Sequence, residues 1–151
     1  MRYILLTLMG LALISPAPAQ TSPRPEADAI VGTWLVASKD GQVCITRNVQ
    51  GGYGGTICWL RQPIDPKTGQ PQLDKLNENP ALRSRPVMGM LILRGFTYRG
   101  DGEWGGGKVY NAEDGKDYSC YLRLNPDGTL LLRGYVGISW IGKSQIWTRV
   151  K

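Results

Sequence analysis

The segment at residues 99–120, RGDGEWGGGKVYNAEDGKDYSC, contains the patterns that most resemble chemical sites. RGD is an adhesion tripeptide, the GGGK run that ends at Lys108 is a candidate phosphate loop, and the acidic turns are candidate calcium ligands. The glycine run lacks the preceding strand, the Ser or Thr after the lysine and the following helix that phosphate binding needs, and the acids do not have calcium-loop spacing. We therefore expect turns and bulges here, which leaves Trp104 and Tyr110 as candidate ligand contacts.

The chain contains no histidine, which is the side chain most used for proton transfer near neutral pH and the commonest metal ligand. Its absence excludes Ser-His-Asp and Cys-His hydrolases and zinc sites of the HExxH type. Most remaining carboxylates lie beside glycine or proline, as turn formation alone predicts, at Asp65, Asp101, Asp114 and Asp127. We therefore predict a protein that is not an enzyme and that holds no cofactor and no metal.

The N-terminal residues have the three parts of a secretory signal peptide. Met1 and Arg2 give a positive start, an apolar run follows up to Ile14, and Ala17-Pro18-Ala19 forms a small-x-small cleavage site. The run is too short to span a bilayer core of roughly 30 Å and no later run is longer, so we expect no membrane span. We predict a signal peptide at 1–19, a polar leader at 20–29, and one exported domain, periplasmic or secreted, at 30–151.

The chain carries a net charge of +6 and has a pI near 9.4. A high pI can mark a nucleic-acid binder, but the basic residues here are scattered singly instead of forming one stripe. We therefore expect no nucleic-acid partner and favour contact with anionic envelope surfaces. The sequence carries no signal for a particular oligomeric state.

Short alternating runs, separated by glycine, asparagine, aspartate and proline, fill the chain after residue 30, with no helical period between them. Antiparallel neighbours joined by tight turns predict a meander, and eight such strands can close into a barrel. The predicted fold class is therefore all-β, an eight-stranded up-and-down antiparallel barrel. The eight runs are 31–38, 42–48, 53–60, 88–98, 103–111, 117–124, 129–136 and 138–150.

One connection, at 61–87 between the third and fourth runs, is too long for a simple turn and too rich in proline and asparagine for a strand. A short helix over residues 81–84 is predicted to start there, with Asn79 as its cap and Pro80 at its first position. We expect this loop to cover one end of the barrel.

Alternation along the second and third runs places Cys44 and Cys58 on the polar face of the barrel. A three-residue hairpin loop at 50–52 sets the two cysteines directly opposite each other. In an oxidising compartment this arrangement predicts a disulfide between them. Cys120 falls on the inward face of the sixth run and is expected to remain a free thiol.

Two ends of the chain carry a matching pair of motifs. Gly32-Thr33-Trp34 is similar to the GxW opening of lipocalins and related calycins, and Arg149 matches the arginine that lies over that tryptophan. A wider pattern accompanies them at residues 56–60, Asp74, Asn77, Asn79-Pro80, residues 82–86, Met88-Gly89, Trp104, Gly106-Gly107, Val109-Tyr110, residues 114–116, Tyr118, Gly134-Tyr135 and residues 147–149.

Together these motifs resemble the bacterial exported family labelled domain of unknown function 2147, across nearly the whole mature chain. The resemblance implies a small lipocalin-like barrel without established chemistry. Family members often have cysteines near the second hairpin and near the chain end, where this chain has Tyr135 and Trp140. The resemblance therefore implies no disulfide pairing for this protein.

The pairing of Trp34 with Arg149 also has a physical reason of its own. Barrel closure brings the first and last strands together, and a guanidinium stacked on an indole gains about 0.5 to 2 kcal/mol while its donors bind backbone carbonyls. We therefore expect a structural role for both residues. Four polar residues of the long loop either bind an acidic headgroup or hold the loop down, and we favour the second role for Asp74, Asn77, Arg83 and Arg85.

Three classes of function suit an exported barrel of this size. We favour a protein that binds a small apolar or amphipathic ligand, and this ligand class includes acidic amphiphiles. The alternative is an envelope interaction or stress module whose barrel is packed solid, and an enzyme comes third because no paired carboxylates are located. Any ligand is expected inside the barrel, against Trp59, Leu91, Leu93, Tyr110, Tyr118, Leu132 and Trp147, with its polar end toward Arg83 and Arg85.

Overall fold

The computed structural model describes residues 26–135 and 143–150, and the predicted signal peptide lies outside the described residues. Eight antiparallel strands form a closed barrel in which each strand pairs with its neighbours along the chain and the last pairs with the first. The predicted eight-stranded up-and-down barrel is confirmed. Its strands are β1 Gly32–Leu35, β2 Gly41–Arg47, β3 Tyr53–Leu60, β4 Leu91–Gly100, β5 Glu103–Asn111, β6 Lys116–Leu124, β7 Leu130–Tyr135 and β8 Lys143–Arg149.

A short 3₁₀ turn, Ala27–Ile30, covers the end of the barrel at which β1 begins. Both of its terminal residues are buried, and their carbonyl oxygens accept hydrogen bonds from two indoles: Trp34 Nε1 donates to Ile30 at 2.8 Å and Trp104 Nε1 to Ala27 at 2.9 Å. The predicted polar leader at 20–29 therefore overlaps this turn at its last three residues. Ala27 belongs to the hydrophobic core although it lies in a segment of mainly polar composition.

The half of the barrel beside this turn is packed solid. Large inward side chains from six strands fill it, and each of them is almost completely buried. They are Trp34, Tyr53, Leu93, Phe96, Trp104, Leu122 and Leu130. Tyr53 and Trp104 meet edge to face, with ring centroids 6.4 Å apart, as aromatic pairs prefer.

A β-bulge in β3 corrects the predicted orientation of Trp59. Gln42 lies opposite Trp59 and Val43 opposite Ile57, so Cys58 is the extra residue. Ile57 faces the interior, whereas Trp59, predicted inward, is 38% exposed. One extra residue reverses the faces of the residues that follow it, because side chains alternate with a period of two.

A second irregularity, in β4, corrects Leu91 in the same way. Gly55 lies opposite Leu93 and Thr56 opposite Leu91, which leaves Ile92 as the extra residue. Ile92 and Leu93 are both buried, whereas Leu91, predicted inward, is 49% exposed. Strict alternation therefore fails on this strand as well.

The predicted disulfide between Cys44 and Cys58 is present, with Cα atoms 5.8 Å apart, and Cys120 is free and buried. The predicted register is wrong, because Cys44 lies opposite Thr56. The hairpin loop spans five residues, 48–52, and the Asn48 side chain holds it by accepting from the backbone N–H groups of residues 50 and 52. The longer loop shifts the pairing by two residues, and the bulge at Cys58 keeps the two cysteines adjacent.

The glycine run of β5 accommodates two large side chains. A Cβ on Gly107 would lie 2.6 Å from ring atoms of Phe96, and a Cβ on Gly105 would lie 2.4 Å from Cζ of Arg99. The strand is irregular between Trp104 and Gly107. The expected bulge and close approach are therefore confirmed. The RGD tripeptide ends β4 and enters the β4–β5 turn at Asp101, which has a φ of 51°.

Candidate ligand cavity

In the part of the chain that the structure describes, the other half of the barrel contains a cavity of about 730 Å³. It lies at the end of the barrel where the connections β1–β2, β3–β4 and β5–β6 meet, opposite the Ala27–Ile30 turn. Apolar side chains on the strands form its walls, mainly Val43, Ile57, Ile92, Val109, Leu132 and Trp147. This volume lies within the range of about 300 to 1,000 Å³ that is usual for small-molecule sites.

Polar residues surround the mouth of the cavity. Four glutamines line it, together with Ser38 and Asn111. The charged residues among its described lining are Asp40, Glu113, Asp114 and Lys143. A ligand in this cavity would therefore have an apolar body among the strands and a polar end near the turns.

Among the described residues, three aromatic side chains line the cavity, and each has a polar group held by a hydrogen bond. Trp147 Nε1 donates to Gln145 Oε1 at 3.0 Å, and the Tyr118 hydroxyl donates to Asp114 Oδ2 at 2.6 Å. The hydrogen bond to Asp114 raises the pKa of Tyr118. Tyr110 is anchored more deeply, through a buried network with the long loop.

Asp74 is the centre of this network and is fully buried. Its Oδ1 accepts from the Tyr110 hydroxyl at 2.5 Å, and its Oδ2 accepts from Asn77 Nδ2 at 2.8 Å and Arg85 Nε at 2.9 Å. Burial opposes ionisation of Asp74, but the bonds from Tyr110, Asn77 and Arg85 outweigh it and hold its pKa below the ordinary value. Burial and the bond to Asp74 raise the pKa of Tyr110.

The network fastens the long loop to the barrel wall. Arg85 also lies over the Tyr110 ring, 5.4 Å from its centroid, and Arg83 Nε donates to the backbone oxygen of Asn77 at 2.7 Å. Beside it the loop touches the β5–β6 turn so closely that a Cβ on Gly115 would lie 1.8 Å from Leu76 O. The interpretation that these polar residues hold the loop down is thus confirmed. The predicted helix start is also confirmed as a 3₁₀ turn, Pro80–Leu82, with Asn79 Oδ1 accepting from Ala81 N.

The structure brings together four of the nine predicted ligand residues, which line the cavity as Tyr110, Tyr118, Leu132 and Trp147. Leu93 is fully buried and belongs to the solid half of the core. Trp59 and Leu91 are on the outer surface, and Arg83 and Arg85 belong to the loop network instead of the cavity lining. The expected placement of a ligand headgroup beside these two arginines is therefore not supported.

Sequence reasoning missed the acidic residues at the mouth, Asp40, Glu113 and Asp114. A signal was available, because in an up-and-down barrel alternate turns lie at the same end. Asp40 is in the β1–β2 turn and the other two are in the β5–β6 turn, so topology alone places them at one end. The sequence analysis attributed turn carboxylates to turn formation alone, so it did not predict their position at the cavity.

Within the described residues, 26–135 and 143–150, no group of three or more His, Cys, Asp or Glu side chains is arranged to hold a metal ion. Over the same residues no helix is long and apolar enough to cross a membrane.

Comparisons with known proteins agree with this architecture. A protein from the human pathogen Helicobacter pylori, described as belonging to the lipocalin family, superposes with a TM-score of 0.68 at 26% identity, over 81% of this chain and 83% of that one. A comparison with curated proteins finds no match. The family model described as "uncharacterized protein conserved in bacteria (DUF2147)" matches residues 32–149, from the glycine of the GxW motif to the arginine that covers its tryptophan. The chain belongs to this bacterial DUF2147 family.

Proposed function

We propose that the protein binds a small apolar or amphipathic molecule inside the barrel, and that it acts as a binding protein and not as an enzyme. The observation that carries this proposal is the cavity of about 730 Å³ with apolar strand walls and a polar mouth. Small-molecule sites are usually built in this way, with a few polar groups that orient the ligand. The lipocalin-like neighbour adds support for the fold that surrounds such a cavity.

The alternative of a solid-core interaction module fits only one half of the barrel. Side chains such as Phe96, Trp104 and Leu122 fill the half beside the N-terminal turn. In the other half, by contrast, Gly134 occupies a lining position where a leucine or valine would take up space. The cavity is therefore the feature that favours ligand binding over the alternative.

We also propose that the protein works outside the cytoplasm. The signal-peptide pattern of residues 1–19 and the disulfide Cys44–Cys58 support export, because disulfides persist in oxidising compartments. The mass of the protein purified from the cell envelope tests this proposal. A chain that starts at Gln20 is expected, and an intact Met1 in a cytosolic fraction would contradict export.

Titration with N-phenyl-1-naphthylamine, a neutral apolar fluorophore, tests the cavity. We expect saturable enhancement of its fluorescence by the wild-type protein and loss of that enhancement in Gly134→Leu. A Cβ at Gly134 meets Val109 and Tyr118 at an ordinary 3.7 Å, so the new side chain enters the cavity without a backbone clash. Ser144→Leu, on an exposed position of β8 that does not line the cavity, is the matched control.

Binding that is absent in the wild type, or that survives Gly134→Leu unchanged, would contradict an internal site. Circular dichroism and thermal unfolding of both variants establish that each retains the barrel. Equal loss of binding in Ser144→Leu would show that added surface leucine, and not filling of the cavity, causes the effect.

A further inference from the structure

We infer that the cavity selects an amphiphile with a cationic headgroup, an inference that rests on the proposed function and names its ligand class. The cavity defines the site, and the charges at its mouth define the headgroup. Three carboxylates and one ammonium belong to the described lining, at Asp40, Glu113, Asp114 and Lys143. An anionic headgroup would therefore meet an excess of like charge at the place where it must lie.

The carboxylates differ in how far they are engaged. Asp40 accepts a hydrogen bond from the Ser38 hydroxyl, and Asp114 accepts from the Tyr118 hydroxyl and from Lys116 N. Glu113 is exposed and forms no ion pair or side-chain hydrogen bond with the described part of the chain. It is therefore the carboxylate best placed to pair with a ligand cation.

Cations that would reverse this balance are used elsewhere or lie outside the lining. Arg85 is bound to Asp74, and Arg83 to the backbone of the long loop. Lys39 precedes Asp40 in the sequence and Lys116 lies two residues after Asp114, but neither lysine lines the cavity. Residues 136–142, VGISWIG, contain no charged side chain, so their sequence leaves the balance unchanged.

The aromatic lining suits the same class of ligand. Tyr118 lines the cavity beside Asp114, and aromatic faces attract ammonium groups, most strongly quaternary ones that are poorly hydrated. A cationic headgroup thus finds both carboxylates and the Tyr118 ring at the mouth, while its alkyl chain lies against Val43, Ile92, Trp147 and other apolar walls.

Three ligands with ten-carbon chains separate the effect of the headgroup from that of the chain: decyltrimethylammonium, decanol and decanoate. Each displaces N-phenyl-1-naphthylamine at concentrations below its micelle concentration or, for decanol, below its solubility limit. We expect decyltrimethylammonium to bind about tenfold more tightly than decanoate, with decanol between them, and the preference to shrink at high salt. Equal binding of all three, or tighter binding of decanoate, would overturn the cationic headgroup while leaving the proposed function intact. Failure of all three and of the fluorophore would contradict the proposed function itself.

Removing the unpartnered carboxylate tests the assignment to this mouth. We expect Glu113→Gln to weaken decyltrimethylammonium binding about three- to fivefold and to leave decanol binding unchanged, which is the effect expected of one exposed ion pair. Asp101→Asn, in a turn at the opposite end of the barrel, is the matched control and should change neither ligand. A decanoate preference that Lys143→Gln abolishes would assign the mouth to an anion instead and overturn the inference.

Discussion

The guanidinium of Arg149 lies over the indole of Trp34, with Cζ 4.2 Å from the ring centroid. Its nitrogens also donate to the backbone oxygens of Val31, at 3.0 Å, and Ala29. One side chain of β8 thus fixes both β1 and the N-terminal turn. Gly32 is required beside it, because a Cβ there would lie 2.7 Å from Arg149 Nη1 and its φ is 136°. The GxW motif therefore has a steric cause in this barrel.

The first prediction concerns this contact. Trp34→Ala is expected to lower the free energy of unfolding by about 3 to 5 kcal/mol because the indole is fully buried. Arg149→Ala should cost less, and the two changes should couple by about 0.5 to 2 kcal/mol. Urea unfolding of both single variants and the double variant measures the coupling. Strictly additive losses would mean that the stacked contact contributes nothing in solution.

The sequence predicts the number of strands and the closure of the barrel, but it does not predict the orientation of every side chain. The number of strands follows from turn chemistry, and closure follows from the topology of an eight-stranded meander. The Trp34–Arg149 contact was expected from the resemblance to lipocalins, and barrel closure gives a physical reason for it. The orientation of Trp59 and Leu91 does not follow from these rules, because one extra residue in β3 and another in β4 reverses the alternation. A bulge arises from the fit between neighbouring strands and leaves no period-two signal in a single strand.

The candidate site shows the same division. Leu132 and Trp147 were assigned to the cavity by parity on strands without a nearby bulge, and both line it. Arg83 and Arg85 were assigned by charge alone, but Arg83 donates to the backbone oxygen of Asn77 and Arg85 pairs with the buried Asp74. The sequence does not reveal that Asp74, eleven residues before Arg85, is buried against Tyr110 in the barrel wall.

The second prediction concerns the glycine at Gly107. Because a Cβ there would lie 2.6 Å from the Phe96 ring, Gly107→Ala should destabilise the protein by about 1 to 3 kcal/mol. In a Phe96→Leu background the same change should cost measurably less, since the ring no longer lies over the new methyl group. Gly134→Ala, with its nearest atoms at 3.7 Å, is the matched control and should be close to neutral. Equal losses for Gly107→Ala in both backgrounds would contradict the steric explanation.

The third prediction concerns the cysteines. Burial raises the pKa of Cys120 to about 12, so its thiol should stay protonated and unreactive toward iodoacetamide at pH 8 in the folded protein. Without reduction, alkylation is expected at Cys120 alone and only after addition of denaturant. Peptide mapping identifies the modified residue and the linked pair. A peptide joining Cys120 to Cys44 or Cys58 would contradict the structure.

The fourth prediction concerns the stabilising effect of the disulfide between Cys44 and Cys58. Replacing Cys44 and Cys58 together by serine removes a cross-link that closes a loop of about 15 residues, worth about 3 kcal/mol in the chain-entropy model. Cys120→Ser is the control for serine substitution without loss of a cross-link. Thermal unfolding under non-reducing conditions compares them, and a double serine variant as stable as the wild type would show that the cross-link adds no stability.

The last prediction concerns the pH dependence of the loop network. Hydrogen bonds hold the folded pKa of Asp74 below its ordinary value, so ionised Asp74 stabilises the fold at pH values above the unfolded pKa of about 3.9. That contribution is lost as the pH falls through the lower folded pKa. Asp74→Asn should therefore cost about 2 to 3 kcal/mol near pH 7 and progressively less below about pH 4.

Urea unfolding at several pH values measures this difference, with Asp101→Asn, an exposed carboxylate in the distant β4–β5 turn, as the control. A constant difference between wild type and Asp74→Asn from pH 7 to pH 3 would contradict the network's charge dependence. Because the Tyr110 side chain that binds Asp74 also lines the cavity, Asp74→Asn should in addition weaken binding of N-phenyl-1-naphthylamine at pH 7. Tyr110→Phe keeps the ring at the wall but removes its bond to Asp74, and it should lose stability while it retains more of the binding.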